Sequence, residues 1–393
     1  MRFFSGDSAM LNARHMLHLS VAALMVTLLA GCNRAVRTCG DETCRAIGKA
    51  PPPPPPKAPT TPPLNTLRVY YLDVGSGMCH VVQCPGTNAP VIVDDCGSSN
   101  QAGAMDPDDV VAKVQSLVGA SDVIVLATHK DVDHNSYLPK IFPISTAHKP
   151  NIKIVWAGGN YGTYSAAMQS WFTAAKNAGL KLRVSKYTAG GVVEGFTSGW
   201  SNSGNAVPAL QCGAAKTYVL TVNTEDGANV GSMVVMLDYG GQKLVFPGDA
   251  TGKTQEKAVD NFKSPKAPAN FLQTDVLETS HHGSSNAKSN DLEWARATLP
   301  RYLISSAGES HFHPRCDAID NYRFSEDKAT GKYKPRLIGV SDGHRFFCGD
   351  TQWWFYDPEM RAIYSTNSNG TIIVDVAPPS TKGERVKVYW EYN

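Results

Sequence analysis

An apolar, β-branched run, Ser121–Ala127 (SDVIVLA), stops against Thr128-His129-Lys130-Asp131-Val132-Asp133-His134. The run reads as a buried strand. At its end, four side chains of metal-ligand type, His129, Asp131, Asp133 and His134, fall within six residues. Packing does not account for them. Desolvating imidazoles and carboxylates is costly, whereas a divalent cation turns the same cluster into a ligand set. The competing reading is a solvated polar loop. Neighbours in extended structure point to opposite sides, so the four cannot all reach one ion from a strand. In a loop they can serve two adjacent ions.

The pattern recurs along the chain. Strands are predicted at 67–73, 79–83, 91–94, 121–127, 152–156, 232–238, 243–246, 274–278 and 301–305. Further β-structure is predicted at 353–356, 362–365, 371–374 and 386–392. Helical spacing appears at 108–117 and 253–262, and a helix is expected to begin at 135–138. Residues 158–211, rich in Gly, Ser, Thr and aromatics, read as an insertion with one helix near Ser165–Asn177. Several strands run into polar, ligand-type loops: DVGSG, DDCG, THKDVDH, PGDA and SHHGS. Strands that deliver such loops to one edge build a single site, which predicts a layered α/β protein with one active rim. Asp249, on the PGDA turn, could bridge two metals, and His281 and His282 supply at least one more imidazole. Two ions about 3.5–4 Å apart can share a hydroxide as nucleophile and stabilise the leaving oxygen. Carboxylate and imidazole without thiolate suit Zn²⁺ or Mn²⁺.

Two segments precede this domain. Met16–Ala30 is apolar, follows Arg14 and ends in Leu29-Ala30-Gly31-Cys32. It is short for a membrane span, and small residues precede the cysteine. Leu-Ala-Gly-Cys resembles a bacterial lipobox, which implies cleavage after residue 31, lipidation of Cys32, export, and a tether in the cell envelope, with the outer membrane favoured; the alternative is an uncleaved anchor. Residues 32–63 follow as a tether, in which Pro51–Pro56 favours a stiff polyproline spacer. The folded domain is placed at 64–393. Without residues 1–31, which hold Arg2, Arg14 and Asp7, the balance is 35 basic against 34 acidic residues, so no electrostatic footprint for nucleic acid is present. Eight cysteines remain if Cys32 is lipidated, and in an exported chain this favours disulfides. Cys39–Cys44 and Cys316–Cys348 are the pairings expected.

Taken together, the five loops resemble those of the metallo-β-lactamase superfamily, most closely the hydrolase domain of ComEC-type competence proteins. The superfamily's His-x-His-x-Asp-His appears here as His-x-Asp-x-Asp-His, the competence-type variant. The resemblance covers about Leu67 to Ala318 and implies a four-layer αβ/βα sandwich, here with an insertion and a C-terminal β extension. It implies that His129 and Asp131 hold a first metal, Asp133 and His134 a second, and that Asp249 bridges them. One of His281 and His282 would complete the second site, and Gly283 favours His282. Asp73 and Asp95 would orient ligands or form turns. The third histidine of the superfamily's first site is absent between His134 and Asp249, where only His148 occurs; Asn229 and Ser232 occupy the region instead. One ion, or two, therefore fits the pattern. His313, in a His-Pro step, would face the substrate or, alternatively, sit in a surface loop that caps the next helix, with His311 on the surface and His80 and His344 structural. Of Trp353 and Trp354, one is expected in the core and the other as a substrate platform.

The expected activity is hydrolysis of a phosphodiester by a metal-bound hydroxide, with catalytic weight on Asp133, Asp249 and His313. A small phosphodiester or nucleic acid is the expected substrate, and the expected state is a monomer. Hydrolysis of an ester, lactone or β-lactam carbonyl is the alternative within enzymes. Outside them it is a non-catalytic surface lipoprotein that binds through 158–211.

Overall fold

The computed structural model describes residues 56–145, 150–184, 210–224, 229–262, 267–323, 334–357 and 361–392, all within the unit that runs from Lys49 to Asn393. The Met16–Cys32 stretch, Cys39, Cys44, His148 and 185–209 of the proposed insertion lie outside these residues. Among the described residues no helix is long and apolar enough to cross a membrane.

The strands are β1 (Leu67–Tyr71), β2 (His80–Gln83), β3 (Val91–Asp94), β4 (Val123–Ala127), β5 (Ile152–Ala157), β6 (Lys181–Val184), β7 (Leu210–Cys212), β8 (Ala215–Thr221), β9 (Val234–Tyr239), β10 (Gln242–Phe246), β11 (Val276–Glu278), β12 (Tyr302–Ser305), β13 (Phe346–Gly349), β14 (Trp354–Asp357), β15 (Ile363–Ser365), β16 (Thr371–Val376) and β17 (Val386–Glu391). They form one sheet in the order β17-β16-β1-β2-β3-β4-β5-β6, a second in the order β15-β12-β11-β10-β9-β8-β7, and a separate β13-β14 ribbon. The C-terminal strands thus extend both large sheets. Likewise, 158–184 holds a helix at Ala166–Asn177, with Ser165 as its cap, and the edge strand β6 of the first sheet.

Strand alternation explains the layering. In β4, Ile124 and Leu126 pack with Val235, Phe246, Val276 and Ile304 of the second sheet. Val123 and Val125, one residue out of step, face Val110 and Val114 of α1 (Pro107–Val118). A strand covered on both faces reads as an unbroken apolar run, as Ser121–Ala127 does. The next helices are α2 (Val132–Asn135), α3 (Leu138–Ile141) and α4 (Ala166–Asn177), and α3 and α4 complete that outer layer. On the far side, α5 (Gly252–Phe262), α6 (Leu292–Thr298) and α7 (Cys316–Arg323) cover Val234, Val245, Leu277 and Leu303. The result is the αβ/βα sandwich expected from the sequence. Periodicity missed α6 and α7, which have only two turns each.

Strands β3, β4, β5 and β6 run parallel, as do β10, β11, β12 and β15. Parallel strands present their C-terminal ends at one edge, and the ligand-type loops leave from there.

Three disulfides occur among the described residues: Cys79–Cys96, Cys84–Cys212 and Cys316–Cys348. The last is the pairing read from the sequence. Cys84, just beyond β2, reaches Cys212 of β7 and so ties the two sheets across 128 residues. Its removal (Cys84→Ser with Cys212→Ser) is expected to cost about 2–4 kcal/mol, read from the denaturant midpoint.

Candidate metal centre

The ligand loop is seated by two turns whose glycines have a physical purpose. Met78 N–H donates to Asp133 O (3.0 Å) and Cys96 N–H to His134 O (2.6 Å). A Cβ on Gly77 would lie 2.8 Å from Asp133 O, and one on Gly97 would lie 2.4 Å from Val132 O. The motifs DVGSG and DDCG are therefore the cradle of THKDVDH. Asn135 Nδ2 closes the loop from within, donating to Asp131 O (2.7 Å) and His129 O (3.1 Å).

Three of the imidazoles, His129, His134 and His282, are held through Nδ1. Asp95 Oδ2 lies 2.7 Å from His134 Nδ1 and accepts from Thr128 Oγ1, also at 2.7 Å. Thr128 Oγ1 lies 3.0 Å from His129 Nδ1. His282 Nδ1 sits 2.8 Å from Ser306 O, so it carries the proton and leaves Nε2 free. Asp95 thus holds the His134 ring in place. Asp73 serves the turn: its Oδ1 accepts from Gly75 N–H (3.3 Å), and burial raises its carboxyl to about 7. The Ser232 hydroxyl is buried without a hydrogen-bond partner, and Asn229 reaches the centre in its place, with Nδ2 3.5 Å from Asp249 Oδ2 and 3.2 Å from His281 Nε2.

The free nitrogens converge on Asp249. Its Oδ1 is 3.1 Å from His134 Nε2 and 3.6 Å from His282 Nε2, and Asp133 Oδ2 is 3.5 Å from His282 Nε2. Its Oδ2 is 3.7 Å from His129 Nε2 and 3.6 Å from His281 Nε2, and Asp131 Oδ2 is 3.6 Å from His129 Nε2. The Lys130 ammonium takes the other Asp131 oxygen at 2.6 Å. One carboxylate therefore faces two sets of imidazole and carboxylate groups, one with each oxygen.

Extended backbone would turn only one of His281 and His282 toward the cluster. Both face it, because both have left-handed backbone (φ 52° and 55°), where neighbouring side chains need not diverge as they do in a strand. His281 thus lies on the side of His129 and Asp131.

These residues fit a metal. His129 Nε2, His134 Nε2, His282 Nε2 and Asp249 Oδ1 are buried without a hydrogen-bond partner. Ligands at about 2.0–2.1 Å from a tetrahedral ion lie roughly 3.3 Å apart, close to the separations seen here. His129, His134 and Asp249 form one compact group, and Asp133, His134 and His282 another. Electrostatics agree: despite burial, the Asp249 and Asp95 charges raise His134 well above its ordinary value. Burial opposes ionisation of Asp133, but His282 and His134 bring it down to about 2. The centre holds its carboxylates ionised and calls for positive charge.

His313 borders the centre, its ring 6.0 Å from that of His281, and His311 is exposed 5.9 Å farther out. Burial, with His282, His281 and His311, pushes His313 down to about 3, so the imidazole is neutral. Trp354 packs on Phe312 with ring centroids 5.7 Å apart, while Trp353 is 53% exposed.

No protein-family model matches the chain, and no curated protein matches it in sequence. Solved structures with a similar arrangement include human tRNase Z, short form (13% identity, 62% of this chain and 93% of that one, TM-score 0.35). The metallo-β-lactamase-fold protein YhfI of Bacillus subtilis is another (11% identity, 61% and 85%, TM-score 0.34). A diphosphatase of the PhnP family also aligns (12% identity, 60% and 85%, TM-score 0.29). The fold and the site define a layered αβ/βα protein with a His/Asp cluster able to hold divalent metal at one sheet edge. What the cluster does is read below from this chain's own residues.

Proposed function

We propose that the protein is a metal-dependent hydrolase of metallo-β-lactamase type that cleaves phosphodiesters, tethered to the cell envelope through a lipidated Cys32. The observation that carries the reading is Asp249, whose two oxygens each face a separate set of imidazole and carboxylate groups. His134, His282 and Asp133 would hold one ion; His129, Asp131 and His281, with Asn229 beside them, would hold the other. Divalent ions bound there supply Lewis acidity and a water acidic enough to ionise near neutral pH. The chain's residues do the rest. Asp95, Thr128 and Ser306 fix the ring tautomers, and Lys130 holds one oxygen of Asp131 away from the metal. His313, neutral at the border of the site, offers an N–H to a phosphoryl oxygen.

The test is hydrolysis of bis-(p-nitrophenyl) phosphate by metal-free protein and by protein loaded with Mn²⁺ or Zn²⁺. Turnover only in the loaded forms supports the reading. Stoichiometric metal binding without turnover sinks the phosphodiester part and moves the weight to carbonyl substrates. The ligand assignment makes a separate prediction: His281→Ala should weaken the first site about ten- to a hundredfold and leave one tightly bound ion per chain, measured by metal analysis after dialysis.

A further inference from the structure

Beneath the metal centre, between the two sheets, lies a second ionisable cluster that the chemistry above does not use. His80 on β2 is 1% exposed. Its Nε2 is 2.8 Å from Glu278 Oε1 on β11, and its Nδ1 is 3.5 Å from Asp94 Oδ2 on β3. One imidazole therefore spans both sheets, among the rings of Tyr71 (5.0 Å) and Phe246 (5.5 Å). Burial opposes its charge, but Glu278 and Asp94 outweigh it and hold His80 at about 10, an imidazolium. Apolar residues would pack this space at least as well, because buried ion pairs repay their desolvation poorly. The cluster is better explained by where its ends lead.

Both ends lead to the metal centre. Glu278 Oε1 accepts from Ser306 Oγ at 2.6 Å, and the carbonyl of that serine holds His282 Nδ1 at 2.8 Å. On the other sheet, Asp94 is followed by Asp95, which holds His134 Nδ1 at 2.7 Å. His134 follows β4 of the first sheet and His282 follows β11 of the second, yet their Nε2 atoms meet at the same oxygen of Asp249. A shift of one sheet against the other would pull them apart.

We propose that Asp94, His80, Glu278 and Ser306 are positioning residues that lock the two sheets in register beneath the metal and so hold His134 and His282 on one ion. The proposal rests on the metal reading above. Cobalt(II) titration of the full chain tests it, because the visible bands of bound cobalt report ligand geometry independently of turnover. Two variants are compared with wild type: Ser306→Ala, which removes the hydroxyl's contacts with Glu278 (2.6 Å) and His80 Nε2 (3.2 Å) but keeps the ion pair, and the charge-neutral double variant His80→Gln/Glu278→Gln. Both are expected to bind cobalt about tenfold more weakly with shifted bands. Unchanged affinity and bands in the folded variants would overturn the proposal, even if thermal stability fell. If the double variant does not fold, Ser306→Ala decides alone. Wild type that binds no cobalt would take down the metal reading and this proposal together.

Discussion

Replacing Asp249 by asparagine is expected to abolish metal-dependent turnover of bis-(p-nitrophenyl) phosphate, with a loss of at least about a thousandfold in kcat. The substitution is isosteric and keeps the PGDA turn, so the effect isolates charge and ligation. The carboxylate faces His134 and His282 with one oxygen and His129 and His281 with the other. An amide offers one weak oxygen donor and turns an N–H toward one metal position, so occupancy of both ions should fall. Metal content and turnover measured on the same preparation check this. Retained turnover would show that the two ligand sets do not act as one centre.

The second large effect is on stability. His80→Leu is expected to lose about 3–5 kcal/mol, because Glu278 and Asp94 would be left buried without their shared cation. Denaturant unfolding reads the loss, and Glu278→Gln in the same background should recover part of it. The pH dependence has a definite sign. The folded value of His80, about 10, lies above the ordinary 6.5, so its contribution is complete below pH 6.5 and disappears as the pH rises toward 10. Wild type should show that decline, and the His80→Gln/Glu278→Gln double variant, with no imidazole to deprotonate there, should lack it.

Much of this was legible in the chain itself. The unbroken apolar run before Thr128 marks a strand covered on both faces, and β4 is one. Where a strand gives way to ligand-type residues, the loop is set by local chemistry, so THKDVDH, PGDA and SHHGS could each be located by reading along the sequence. That both His281 and His282 face Asp249 was not legible in the same local way. Neighbouring side chains diverge in extended backbone, but both histidines have left-handed φ, in a turn where Gly283 lies against Pro314.

The sequence by itself determined the layered α/β class, the edge at which the ligand-type loops gather, and the residue types available there. Periodicity and strand-end chemistry are properties of short segments. Only the tertiary structure decided that Asn229 and not Ser232 reaches Asp249, that Cys84 pairs with Cys212, and that His80 joins Asp94 to Glu278 across the sheets. Each of those contacts joins residues far apart in the chain or fixes which side chain of a loop turns inward. Both depend on how two sheets stack and register, and no local pattern encodes that.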